Sequence, residues 1–127
     1  MLFNAGLAKR VKAVLAQTYD SLVTISRLVD QDDGNGTIQT RPVLAKNVPC
    51  RRSKHGMSAL HPTTGEATIT FSEMLFCGPA VDILEGDELL VTGPLGAVNP
   101  GPDRYFAGKI ARYTTHQEVR LEFVGRA

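Results

Sequence analysis

A chain of 127 residues, 43% of them hydrophobic, with 14 Lys and Arg against 13 Asp and Glu, has the size of one ordinary domain. Its net charge of +1 excludes a polyanion binder acting through its overall field, so any attraction to nucleic acid must come from a local patch. An aromatic share of 6% without Trp argues against a base-stacking surface or a large aromatic ligand pocket.

Residues 3–18 carry Phe3, Leu7, Val11, Val14 and Leu15 at near-helical spacing, with Lys9, Arg10, Lys12 and Gln17 elsewhere, which predicts one amphipathic helix. Asn4 is a candidate cap for its start. The same cations interrupt the apolar N-terminal stretch, so no secretory signal is expected. No run reaches the ~20 apolar residues of a membrane-spanning helix, and a soluble protein made in a reducing cytoplasm is expected.

From residue 21 to 30 the pattern turns to β, with Val23, Ile25 and Val29 on one face. The following Q-D-D-G-N-G supplies the positive φ angles of a tight turn and predicts a hairpin into a second strand, 37–51. Pro42 and Pro49 each remove a ladder donor and predict a broken or bent strand. Residues 67–77 alternate as far as Ser72, then Met74 and Phe76 continue one residue out of step, so a bulge is expected near Glu73. A turn at 81–87 leads into a strand at 89–92, the Gly- and Pro-rich 93–102 reads as an irregular connector, and 105–113 and 118–124 read as two further strands. The expected fold is a single domain, mainly β, a small antiparallel barrel or sandwich of about six strands with an N-terminal helix.

Between these elements lies a stretch, 47–67, with no strand or helix period. From Gly34 to Gly65 the basic residues are Arg41, Lys46, Arg51, Arg52 and Lys54, with His55 and His61 nearby, and no Asp or Glu interrupts them. A long, charge-segregated loop over 52–66 is therefore the candidate functional site, against the bland alternative of a solvated surface loop. Catalytic motifs are missing: there is no P-loop, nucleophile elbow, H-E-x-x-H or paired CxxC, which argues against an enzyme. Cys50, His55, His61 and Cys77 lie five, six and sixteen residues apart, without the close pairs of structural zinc sites, so neither a metal nor a cofactor is expected. Both cysteines read better as small core residues at strand ends than as nucleophiles, and His116 as a turn histidine.

Three pieces of the chain, V-P-C-R-R-S (48–53), V-D-I-L-E-G-D-E-L-L-V (81–91) and Y-F-A-G-K-I-A-R-Y-T-T-H-Q-E-V-R-L (105–121), together resemble the small head-closure proteins of tailed bacteriophages, also called head completion or stopper proteins of the neck. The order of the pieces matches as well, although the Gly/Pro segment 93–102 is longer than the hairpin expected there. The resemblance implies a structural virion protein rather than an enzyme, a β-barrel subunit of the head-to-tail connector. It implies a homo-oligomeric ring, six- or twelvefold, below the portal or its adaptor and above the tail terminator or tail tube, surrounding the DNA channel. The central loop would project into that channel and gate it, with Arg51, Arg52, Lys54 and His55 contacting DNA phosphates non-specifically and Gly56 and Gly65 as hinges. The helix and the edge strands would be ring and partner surfaces, and Ile83, Glu85, Asp87, His116, Gln117 and Glu118 would face the adaptor or tail. Two other readings stand beside it: a tail terminator or minor tail protein, and a small free-standing β-barrel nucleic-acid-binding module.

Overall fold

The computed structural model describes residues 5–32, 34–60, 67–94, 96–98 and 100–127. Its elements are a helix α1 (Ala5–Ala16) and eight strands: β1 (Ser21–Ser26), β2 (Val29–Asp32), β3 (Thr37–Thr40), β4 (Val43–Leu60), β5 (Ala67–Cys77), β6 (Glu88–Thr92), β7 (Asp103–Arg112) and β8 (Gln117–Arg126). Six strands close an antiparallel barrel in the order β1-β4-β5-β8-β7-β6, and β2-β3 form a separate two-stranded sheet. The fold is mainly β, as the alternating hydrophobicity requires, and it is a barrel rather than a sandwich.

Each barrel strand buries one side. Val23 and Ile25 of β1, Leu75 and Cys77 of β5, Leu89 and Val91 of β6, and Val119 and Leu121 of β8 form one cluster, with Tyr105 and Ala107 of β7 and Ile83 from the segment before β6. Directly opposed in the ladder, Cys50 and Cys77 are both free thiols and fully buried, in keeping with small apolar packing. Burial pushes the Cys50 thiol up to about 12 and that of Cys77 to about 11, which leaves neither a ready nucleophile.

Two expectations change. The chain leaves the barrel after Ser26, so the predicted first hairpin is a separate finger: β2 and β3 pair from Val29↔Thr40 to Asp32↔Thr37, and Arg27 N donates to Pro42 O across the stem at 3.2 Å. Gly34 and Gly36, at φ 88° and 135°, make the turn that the Asp-Gly and Asn-Gly pairs announced. No bulge occurs near Glu73: the β4–β5 register is unbroken from Cys50↔Cys77 to Leu60↔Ala67, and so is β5–β8. Glu73, Leu75 and Cys77 share the inward side, and a half-buried carboxylate in that row makes the outward Met74 and Phe76 look like the continuing apolar face. Irregularity sits instead in the β1–β4 pairing beside Asn47, a non-glycine at φ 52°, and in β7–β8.

The barrel is closed, so it offers no edge strands to a partner among the described residues. Open edges belong to the β2–β3 finger and to the distal part of β4–β5. The helix spans Ala5–Ala16 rather than 3–18, and Phe3 and the proposed cap Asn4 lie outside the described residues.

The inward assignment of β5 is testable by thermal or chemical unfolding. Leu75→Ala is expected to cost about 2–5 kcal/mol, while Met74→Ala, one residue along and outward, costs clearly less. The reverse order would put the missing bulge back into β5.

Candidate functional site

Register alone divides the molecule into two ends. At the Ser21 end of β1 lie Cys50, Thr92 and the helix; at the Ser26 end lie Val43, Glu88 and the finger. Partner-facing and DNA-facing candidates from the sequence separate onto these two ends.

At the Ser21 end, β4 loses its neighbour β1 beyond Cys50, and β5 loses β8 beyond Glu73. The two strands nevertheless stay paired from His55↔Ser72 to Leu60↔Ala67. Six further pairs make a two-stranded ribbon about 20 Å long that outruns the barrel. The expected structureless loop 52–66 is thus strand as far as Leu60, with His61 and Gly65 outside the described residues. Its sequence carries no alternation that would announce a strand, and the backbone pairing defines it. Gly56 sits inside this ladder, opposite Phe71.

The base of the ribbon is fastened by a polar network that sequence reading did not assemble. Arg52 donates through Nη1 to Asp103 Oδ2 at 2.6 Å and to Tyr105 Oη at 3.1 Å, and through Nη2 to the carbonyl of Gly93. Tyr105 in turn donates its hydroxyl proton to Glu73 Oε2 at 2.7 Å. Gly93 and Asp103 are the two stems of the Gly/Pro segment, so one guanidinium ties the ribbon's strand to both sides of that loop. Gly93 has φ 122°, and a Cβ there would meet Ser21 Oγ at 2.8 Å and Cα at 2.9 Å, so only glycine lets the loop seat on the start of β1. A cavity of about 500 Å³ opens over the network, lined also by Lys54, Phe123 and Arg126.

Burial alone would pull the Arg52 guanidinium down, but the hydrogen bonds to Asp103 and Tyr105 outweigh it and hold the group raised. Tyr105 is pushed up to about 12, first by burial and then by its bond to Glu73, with Arg52 opposing. Of the basic residues read as phosphate contacts, Arg52 is therefore occupied internally, Lys54 is 62% exposed and 3.9 Å from Glu73, and Arg51 is exposed opposite Phe76.

At the Ser26 end the six partner-facing candidates do come together, but three are turned inward. Ile83 is fully buried in the barrel mouth. Asp87, 2% exposed, receives Arg27 Nε and Nη2, both at 2.9 Å, and the Leu84 amide. Gln117 donates to Gly78 O and Val81 O and accepts from Arg112, strapping residues 78–83 across the barrel end. Surface presentation thus narrows to Glu85, which is exposed, and to the half-buried His116 and Glu118. His116 stacks on Tyr113 at 4.9 Å between centroids and lies 6.2 Å from Phe76. Among the described residues no cluster of three or more His, Cys, Asp or Glu has the arrangement of a metal site.

No protein-family model and no curated protein matches the sequence. Among solved structures, the chain is similar to the protein xkdH of the phage-like element PBSX from Bacillus subtilis, with a TM-score of 0.52 and 14% identity over 81% of this chain and 93% of that one. The two proteins share a fold. At this identity the likeness speaks for architecture, and function has to be argued from the site.

The network gives a pH prediction. Folding raises the Tyr105 phenol above its usual value of 10.0 to about 12, so its contribution is complete below pH 10 and is lost as pH rises through 12. The two thiols, raised from 9.0, add to the same alkaline loss. In denaturant titrations, Tyr105→Phe is expected to lower stability near neutrality by about 1 kcal/mol and to flatten the fall between pH 10 and 12. An unchanged slope would mean that the phenol does not titrate in this setting.

Proposed function

We propose that this chain is a structural protein of a phage or phage-like particle, and more specifically a head-closure subunit of the head-to-tail connector. In this reading several copies form a ring on the DNA path, between the portal or its adaptor and the tail, and the β4–β5 ribbons converge toward the axis to retain packaged DNA. Fold similarity to a protein of a phage-like element supports the particle setting, and the three sequence pieces support the neck.

The observation that carries the closure role is the ribbon itself. An isolated two-stranded hairpin is at best marginally stable in water, so a six-pair extension beyond a finished barrel calls for a surface to lie against or neighbours to meet. Its position agrees with the charge: Arg51 and Lys54 stand at its root, within a segment free of acidic residues from Gly34 to Gly65. Contact with DNA there is steric and electrostatic, to phosphates rather than bases, and repeating it around a ring multiplies a weak interaction through high effective concentration. Arg52 holds the ribbon's root at a fixed angle instead of touching DNA. No bond is made or broken.

The test shortens the ribbon without disturbing its register. Deleting residues 56–60 and 67–71 rejoins the chain beyond the His55↔Ser72 pair and leaves the barrel strands intact. Particles assembled with this variant are expected to package DNA and then lose it, while the variant's unfolding midpoint stays close to that of the parent chain. Particles that keep their DNA fully would refute the closure role, and electron-microscopic density for the subunit at the distal tail would move it to a tail component.

A further inference from the structure

Two surfaces of this chain are amphipathic, partly exposed and opposite in charge. The first is α1. At 100° per residue Leu7, Val11, Val14 and Leu15 fall within one apolar arc, flanked by Arg10 on one side and Lys12 on the other, with Lys9 behind. The helix carries three cations and no acid, and while Val11 and Leu15 are half-buried, Leu7 and Val14 are 38% and 61% exposed, so part of this arc faces outward.

The second lies at the other end of the barrel. A groove of about 300 Å³ runs between the stem of the β2–β3 finger and the turn before β6, lined by Arg27, Leu28, Leu84, Glu85, Gly86 and Asp87. Leu28 and Leu84 are 46% and 47% exposed. The exposed carboxylate of Glu85 lies in its lining, exposed Asp30 and Asp32 follow Leu28 along β2, and the cation in the groove, Arg27, is already neutralised by Asp82 and Asp87. An apolar floor with an acidic rim is the complement of an apolar arc with a basic rim.

We infer that α1 of one copy docks into this groove of the next copy. A chain's own helix does not fill the site, because it joins β1 at Ser21 while the groove adjoins the Ser26 end, and its Leu7 and Val14 remain exposed. Since two different surfaces meet, the contact is heterologous, and its repetition closes a ring or runs into a filament. The inference rests on the ring reading above and supplies the joint between neighbours. Exposed ion pairs contribute little each and are screened, so the joint is weak in a single pair, sensitive to salt, and strengthened when the ring closes.

The test uses the full chain carrying Val14→Cys and Leu84→Cys, both on exposed positions, with a bismaleimide cross-linker at low salt; the native thiols are buried and serve as the background in the parent protein. The double variant is expected to give a ladder of covalent multimers, and an equimolar mixture of the two single variants only dimers. Reversing Lys9, Arg10 and Lys12 to Glu should lower the yield about tenfold, and adding Asp30→Lys, Asp32→Lys and Glu85→Lys in the partner should restore it. No ladder above the parent background, or a ladder indifferent to charge reversal, would overturn the inference. So would binding of the chain to phosphatidylglycerol vesicles without any ladder, which would give the basic helix to a membrane surface instead. Failure here is separable from failure of the closure reading: a ladder with DNA retained after ribbon shortening retires closure alone, and DNA loss without a ladder retires this joint alone.

Discussion

Closure of the six-stranded barrel is the constraint from which the rest of the molecule follows. Once β1, β4, β5, β8, β7 and β6 have closed on one another, every barrel strand has a neighbour on each side. Any chain left over must make its own pairing. It does so twice, as the β2–β3 finger at one end and the distal β4–β5 ribbon at the other. Both are two-stranded and extend past the closed sheet.

Charge follows the same division. Each barrel end is held by an arginine bound to buried or half-buried carboxylates: Arg52 with Asp103 at the ribbon's root, Arg27 with Asp87 at the finger's stem. Removing one partner of such a pair leaves an uncompensated charge out of water, which is costly, so these arginines are committed to architecture. Among the charges that remain exposed, the helix carries Lys9, Arg10 and Lys12 without an acid, and the finger strand β2 carries Asp30 and Asp32.

Arg52 also joins two features that look independent in the sequence. It reaches from the ribbon's strand to both stems of the Gly/Pro segment, and Gly93 N donates to Pro100 O at 2.6 Å to close that segment on itself. Both stems of the long connector are therefore tied to the ribbon's base. Such a brace ties the root of the ribbon to the barrel and to the connector at once.

The sequence by itself determined the elements whose residues feel the core. Val23 and Ile25, Leu89 and Val91, Val119 and Leu121 alternate because one side of each strand is buried, and the Asp-Gly and Asn-Gly pairs mark a turn because few residues tolerate positive φ. It also marked the basic stretch as unusual. What only the tertiary structure decided was which neighbour each strand takes. Residues 55–60 pair with 67–72 through a backbone ladder that no period over 52–60 announces, so a ribbon stands where a loop was expected. Glu73 mimicked a bulge because its partner Tyr105 lies 32 residues away, and Asp87 and Gln117, polar and placed in turns, read as surface although each is enclosed by groups from distant segments. Burial of a polar side chain depends on partners brought together by barrel closure, and a linear pattern holds no trace of those partners.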